Sequence, residues 1–343
     1  VSTIKVGVLG GGGILEAHIR GYRAYADAIE VIAVADVLEE TARRRAAELG
    51  AAAYTDFRQM IVEAELDAVD ICLPHHLHAE AIVAAAEAGK HILCEKPLCL
   101  TVLQADEVRR AVTDAGVTLM CAHNQLYLPA VTKAKQLLDD GVLGPVYEVR
   151  TGDSFYNDFH SENMGWRAST ATSGGGELMD TGYHPTYLML HFAGGSPIEA
   201  TALLSQHRLS FMEGEDSAQV LVRFDNGVVG QLVTSWAYDA PPGTERFSVV
   251  GENGSLRSDG RSLTLTRRGS SSEIFDYEDV DSYALEIGHF ADCLHSGTRP
   301  LHTEKEGIDV LCLILAAYEG ARNRTIAPVF GHSGAKNQAT DAC

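Results

Sequence analysis

Five short apolar runs punctuate the first third of the chain: residues 4–9, 31–36, 68–73, 90–94 and 117–122. None alternates strictly between apolar and polar positions, and each is too short for a buried helix. That is the pattern of strands covered on both faces. Alanine-rich segments lie between them at about 14–26, 39–49, 56–64, 77–88 and 101–115, with Gly50, Gly89 and Gly116 where helix C-caps belong. Strand–helix alternation at this spacing predicts a parallel, doubly wound sheet that ends near residue 123.

The pattern then changes. A helix is expected over 130–140, stopping at Gly141, and a strand over 146–153. Residues 154–176 read as a loop rich in Gly, Ser, Asn and aromatics, followed by a helix at about 180–192. Strand-like runs follow at 198–207, 217–224, 228–236, 245–250, 255–257 and 262–267. Asp225-Asn226-Gly227 and Glu252-Asn253-Gly254 supply hairpin turns between them. Helices return at about 282–296 and 305–320. The expected organisation is an α/β domain over 1–123, an α+β domain with a large, mostly antiparallel, open-faced sheet over 124–330, and a polar tail over 331–343.

At 343 residues and 45% hydrophobic, the chain is long enough for two soluble globular domains. No apolar run of membrane-spanning length appears, so no membrane association is expected. Val1 to Leu9 enters a strand pattern directly, without the basic and apolar regions of a signal peptide, and a cytoplasmic location is expected. The seven cysteines (72, 94, 99, 121, 293, 312 and 343) lack framework spacing and read as reduced thiols. A formal charge of −20 argues against nucleic acid and is compatible with a cationic substrate.

Candidate chemistry begins at Gly10-Gly11-Gly12-Gly13-Ile14-Leu15, between the first strand and the first helix. Gly10 suits a tight turn, Gly12 lets pyrophosphate approach the backbone, Gly13 loosens the turn, and the helix N-terminus offers amide donors. This marks the first domain as a Rossmann-type dinucleotide fold. The third fingerprint glycine is replaced by Leu15, which implies a slightly displaced helix. Asp36 ends the second strand where an acid binds the adenosine ribose. Its carboxylate would repel a 2′-phosphate, and Val37 and Leu38 offer no arginine, so NAD is the expected cofactor rather than NADP.

Two further segments are more specific. Cys72-Leu73-Pro74-His75-His76-Leu77-His78 follows the third run, and Ala88-Gly89-Lys90-His91-Ile92-Leu93-Cys94-Glu95-Lys96-Pro97 carries the fourth. Gly174-Gly175-Gly176-Glu177-Leu178-Met179-Asp180-Thr181-Gly182-Tyr183-His184 comes some eighty residues later, preceded by Trp166-Arg167. Over residues 4–325 the chain resembles the glucose–fructose oxidoreductase / inositol dehydrogenase (Gfo/Idh/MocA) family. The resemblance implies Lys96, Asp180 and His184 as the catalytic group, with His184 as base and Lys96 on the reacting oxygen. Asp180 and His184, four apart, would share a helix face.

The resemblance also implies cofactor contacts at Gly10, Gly12, Gly13, Ile14, Leu15, Asp36, Leu73, Pro74, His75, His78, Glu95 and Lys96. Substrate contacts are implied at Lys96, Asn124, Tyr156, Trp166, Arg167, Asp180, Tyr183 and His184. The sequence departs from the family pattern at Tyr187, where a second Asp is usual, and at His75, where Asn is usual. No metal is expected: His75 and His76 are adjacent, no nearby acid completes a closed set with His78, and the family uses none.

The implied activity is oxidation of a secondary hydroxyl of a polyhydroxylated small molecule (a sugar, aminosugar or cyclitol) by hydride transfer. Asp153, Asp158, Glu162 and Glu177 favour an amine-bearing, aminoglycoside-like ligand. Alternatives are an NADPH-dependent ketosugar reductase and a non-catalytic dinucleotide-binding regulator. A homodimer or homotetramer formed through the second domain's sheet is expected from the family.

Overall fold

The computed structural model describes residues 2–330; the expected tail, with Cys343, lies outside the described residues. The chain divides into two compact units, one reaching to Tyr127 and resuming over Val280–Ile308, the other formed by Leu128–Asp279 and the chain from Asp309 on.

The first unit alternates β1 (Ile4–Leu9), α1 (Leu15–Ala24), β2 (Ile29–Ala35), α2 (Glu39–Leu49), β3 (Ala52–Tyr54), α3 (Phe57–Glu63), β4 (Ala68–Ile71), α4 (His78–Glu87), β5 (His91–Glu95), α5 (Val102–Ala115) and β6 (Leu119–Ala122). The strands form one sheet in the order β3-β2-β1-β4-β5-β6, every neighbouring pair parallel. The order reverses direction at β1, the switch point beside which open α/β sheets bind ligands. Gly50 and Gly116 end α2 and α5 in the left-handed conformation.

The second unit contains α6 (Pro129–Asp139), β7 (Val146–Ser154), α7 (Thr170–Ser173), α8 (Tyr183–Ala193), β8 (Pro197–Ser205), β9 (Ser217–Phe224), β10 (Val229–Ser235), β11 (Phe247–Gly251), β12 (Gly254–Ser258), β13 (Ser262–Arg267) and β14 (Glu273–Asp276). α9 (Ser282–Ser296), α10 (Glu304–Asn323) and β15 (Ala327–Pro328) follow. Its nine strands run in the order β14-β13-β12-β11-β7-β10-β9-β8-β15. All pairings are antiparallel except β7 with β10. Both expected hairpin turns join adjacent antiparallel strands, β9 to β10 and β11 to β12.

Three expectations need correction. α9 belongs to the first unit rather than the second. Its Ile287, Phe290 and Ala291 join the core built from Val6, Val8, Ile19 and Val34. Hydrophobic periodicity shows that a helix has a buried face but not what covers it. The loop expected over 154–176 contains two short turns of helix, Gly165–Ala168 and Thr170–Ser173. α8 starts at Tyr183, so Asp180 precedes it in a turn and shares no helix face with His184.

Six cysteines (72, 94, 99, 121, 293 and 312) are free and buried. Among the described residues no helix is long and apolar enough to cross a membrane.

Candidate active site

The glycine loop of the first unit is shaped by contact on one side and openness on the other. Gly10 has a φ of +99°, and a Cβ there would overlap the Cys72 carbonyl. Gly12 and Gly13 are exposed, and a Cβ on either would meet nothing within 4 Å. The N-terminus of α1 at Ile14 carries no side-chain cap. An open backbone leading into an uncapped helix start fits a pyrophosphate. Leu15, in place of the third glycine, is wholly buried and packs into the core.

Asp36 is held by two backbone amides: its Oδ2 accepts from Gly11 N at 2.8 Å and its Oδ1 from Leu38 N at 2.9 Å. Sequence reasoning missed Arg45. It is buried on α2 and donates to Gly11 O (3.1 Å) and Gly12 O (3.4 Å), while pairing with Glu16 and Glu48. Four acceptors hold this guanidinium against the loop. The only signal for it in the sequence was an arginine at the buried position of an amphipathic helix.

Lys96 follows β5 and is joined to Pro97 by a cis peptide bond. Two buried residues brace this turn. Glu95 Oε2 accepts from Lys96 N at 3.1 Å, and Glu95 Oε1 lies 3.0 Å from His18 Nε2. His78 Nδ1 lies 2.7 Å from Pro97 O and its Nε2 lies 2.7 Å from Leu73 O, so the ring links the end of the β4 loop to the lysine turn. Burial lowers the His78 pKa despite these two carbonyls. Glu95 and His78, expected at the cofactor, thus have their polar atoms engaged within the protein as braces.

His18 continues the network: its Nδ1 lies 2.8 Å from Asp70 Oδ2, which also accepts from the Tyr22 hydroxyl. Burial alone would disfavour the imidazolium, but Asp70 beside it holds the His18 pKa well above the ordinary value. His18, Asp70 and Cys72 bring ligand-type atoms within 4.8 Å of one another. However, both His18 nitrogens already face carboxylate oxygens, and burial next to Asp70 pushes the Cys72 thiol up to about 12, far from the thiolate a metal requires.

Leu73 and Pro74 are partly exposed at the end of β4, and His75 is buried at the start of a short helical turn. Asn124, expected at the substrate, lies in this same unit with its amide donating to Ser282 Oγ at 2.9 Å.

In the second unit the glycine run is dictated by close approach. A Cβ on Gly176 would overlap the Glu215 backbone, and one on Gly175 would overlap the Tyr318 hydroxyl. Glu215 Oε1 accepts from Leu178 N and from Tyr318, and Gly176 N donates to the Tyr318 oxygen. Thr181 Oγ1 accepts from Trp236 Nε1 at 2.8 Å. The segment that delivers Asp180 and His184 is therefore pinned along its length.

Asp180 is buried and accepts from Arg167 Nε at 2.5 Å; the Arg167 guanidinium stacks over Trp166, 4.3 Å from the ring centroid. Asp180, Arg167 and Trp166 thus come together through the Arg167 guanidinium. His184 lies in the first turn of α8, partly exposed where Tyr183, Pro185, Thr186 and Tyr187 are all buried. Its Nδ1 is 2.9 Å from the Tyr187 hydroxyl.

Tyr183, expected at the substrate, has no exposed surface. Tyr156 is exposed, with the Arg208 guanidinium 4.2 Å from its ring centroid. Glu177, one of the four acids that favoured a cationic ligand, is entirely buried and bonded to Thr234. Burial raises its pKa well above the usual carboxylate range, which weakens its part in an anionic field.

Residues 4–123 match the family model described as an oxidoreductase family with an NAD-binding Rossmann fold, and residues 131–257 match the model of the GFO/IDH/MocA C-terminal domain. The chain is 30% identical over 288 residues to levoglucosan dehydrogenase of Pseudarthrobacter phenanthrenivorans, spanning 75% of this chain and 73% of that protein. It is 28% identical over 337 residues to scyllo-inositol 2-dehydrogenase (NAD(+)) of Bacillus subtilis, spanning 93% and 94%. Its structure is similar to the crystal structure of an NAD binding oxidoreductase from Klebsiella pneumoniae. The TM-score is 0.86 and the identity 27%, covering 96% of this chain and 100% of that one.

Proposed function

The chain belongs to the Gfo/Idh/MocA family of NAD-binding oxidoreductases, and from that premise we propose that it oxidises a secondary hydroxyl of a sugar or cyclitol to a ketone. The observation that carries this reading is the setting of His184. A histidine serving only the core is fully buried, as His18 and His78 are. His184 instead is partly exposed at the start of a buried helix, beside the Asp180–Arg167 pair. This favours a dehydrogenase over a non-catalytic dinucleotide-binding regulator.

In the proposed reaction His184 takes the hydroxyl proton, and Lys96 hydrogen-bonds the same oxygen and stabilises the negative charge that grows there. Asp180, held by Arg167, orients the substrate. NAD, when bound, supplies the hydride acceptor; the glycine loop and Asp36 would hold it. The products are ketone, reduced cofactor and one proton. NAD is favoured over NADP because Asp36 would face a 2′-phosphate and Arg45, the buried arginine nearest the loop, is already engaged by the loop carbonyls and two glutamates.

An amine-bearing sugar remains a second reading. It is supported by the net charge of −20 and by exposed Asp158 and Glu162 in the 154–176 segment. Asp153 lies 3.9 Å from Arg246, which weakens its share of that field. We also propose that the open face of the nine-stranded sheet, which exposes Leu203, Leu221 and Val250, seats a second copy of the chain.

The test is initial-rate turnover of scyllo-inositol, myo-inositol, levoglucosan, D-xylose and glucosamine with NAD and with NADP. A neutral polyol should be oxidised with NAD. If glucosamine is instead the best substrate and its kcat/KM falls with added salt, as screening over a Debye length of about 8 Å requires, the second reading holds.

A further inference from the structure

Tyr187 stands where the resembled family carries a second aspartate. It lies three residues beyond His184 on α8, and solvent reaches none of it. Its hydroxyl is 2.9 Å from His184 Nδ1, and the two rings meet edge to face at 74° with centroids 5.5 Å apart. Helical spacing of three stacks the two side chains on one face. The contact therefore follows from the local fold and does not depend on a flexible loop.

A phenol differs from a carboxylate in ways that matter here. It is neutral around physiological pH, and it can either accept a hydrogen bond from an N–H or donate one to a bare nitrogen. An ionised carboxylate at this fully buried position would need a charge partner of its own, and the arginine of this site, Arg167, is bonded to Asp180. Tyr187 supplies a hydrogen-bond partner to the ring without that second buried charge.

A base acting at Nε2 needs its lone pair there, and so must carry its proton on Nδ1. We infer that the Tyr187 oxygen accepts this Nδ1–H bond and fixes the tautomer of His184, an inference that rests on the reading of His184 as the base. Tyr187 is thus a positioning residue. Without its oxygen, a neutral imidazole reverts largely to the Nε2-protonated form that prevails in water, which places a proton where the substrate's proton has to go.

The decisive measurement needs no substrate. Long-range proton–nitrogen correlation spectra of the full chain, labelled with nitrogen-15 in histidine and recorded near pH 8, report which nitrogen of each ring is protonated. The His184 signals are assigned by their loss in His184→Gln. Wild-type His184 should be protonated on Nδ1, and Tyr187→Phe should shift it toward Nε2 with little change in melting temperature or NADH affinity.

On the best substrate of the panel above, Tyr187→Phe should lower kcat about tenfold, the upper range for a lost neutral hydrogen bond, with KM nearly unchanged. It should have no further effect in the His184→Gln background. Protonation of wild-type His184 on Nε2, or an unchanged tautomer in Tyr187→Phe, would overturn the inference. If His184→Gln keeps full turnover while the tautomer behaves as stated, the base reading falls and the tautomer assignment stands. If Tyr187→Phe does not fold, the wild-type spectrum alone decides.

Discussion

Glu286 on α9 buries both carboxyl oxygens with no hydrogen-bond partner. Burial, with Glu95 nearby, raises its pKa well above the usual carboxylate range, against the opposing pull of His18. The folded protein therefore keeps a proton that the unfolded chain releases near its ordinary value, about 4.3. Between that value and the raised folded one, the native state binds the extra proton, so stability falls as pH rises across the window.

Each pH unit inside that window removes up to about 1.4 kcal/mol. Glu286→Gln puts an amide of nearly the same shape in its place, which cannot ionise. The amide adds a buried donor that costs about 1–3 kcal/mol if unpaired, but that penalty is the same at every pH. The prediction is therefore a slope. The unfolding free energy of the variant minus that of wild type, from urea titrations at a series of pH values between about 5 and 8, should climb with pH by up to ~1.4 kcal/mol per unit. His18 loses its own contribution as pH rises through its raised value, in the same direction, and cancels in the difference. A difference that stays flat over the whole range would mean that Glu286 ionises alike in folded and unfolded chains, against this prediction.

Asp36→Ala should relax cofactor discrimination by about 1.5–3 kcal/mol, the range for a hydrogen bond to a charged group, read as the ratio of kcat/KM for NAD to that for NADP; an unchanged ratio would remove Asp36 from cofactor choice. Arg45→Ala frees the carbonyls of Gly11 and Gly12 and should weaken NADH binding about tenfold by calorimetry, since each such bond contributes roughly 1 kcal/mol; wild-type affinity would mean that the loop holds its shape unaided.

The parallel sheet was legible in the sequence because its central strands are buried on both faces and their apolar runs stand out against alanine-rich helices. β3 was not legible: Ala52 and Ala53 are exposed at the sheet edge, and three residues carry no periodicity. Nor was the placement of α9, whose core partners Val6, Val8, Ile19 and Val34 lie more than 250 residues away in the chain.

At the site, the motifs mark Lys96, Asp180 and His184 as candidates but carry no information on what each side chain touches. Glu95 and His78 read as cofactor contacts because they sit in the right segments. Their partners, His18 and the Pro97 carbonyl, are known only from the fold. Glu177 read as part of an acidic field because its burial leaves no trace in a glycine-rich motif.

Hydride transfer from a secondary alcohol to NAD, with His184 as base and Lys96 at the reacting oxygen, is the reaction proposed for this chain. The most direct test is NADH formation by wild type, Lys96→Ala and His184→Ala on the best neutral sugar or cyclitol, with NADH affinity measured in parallel. Wild type should turn over with NAD, each variant should lose roughly 100-fold or more, the scale of acid–base catalysis, and NADH binding should be nearly unchanged. Full turnover in His184→Ala, or none in wild type with any polyol and either cofactor, would contradict the proposed reaction.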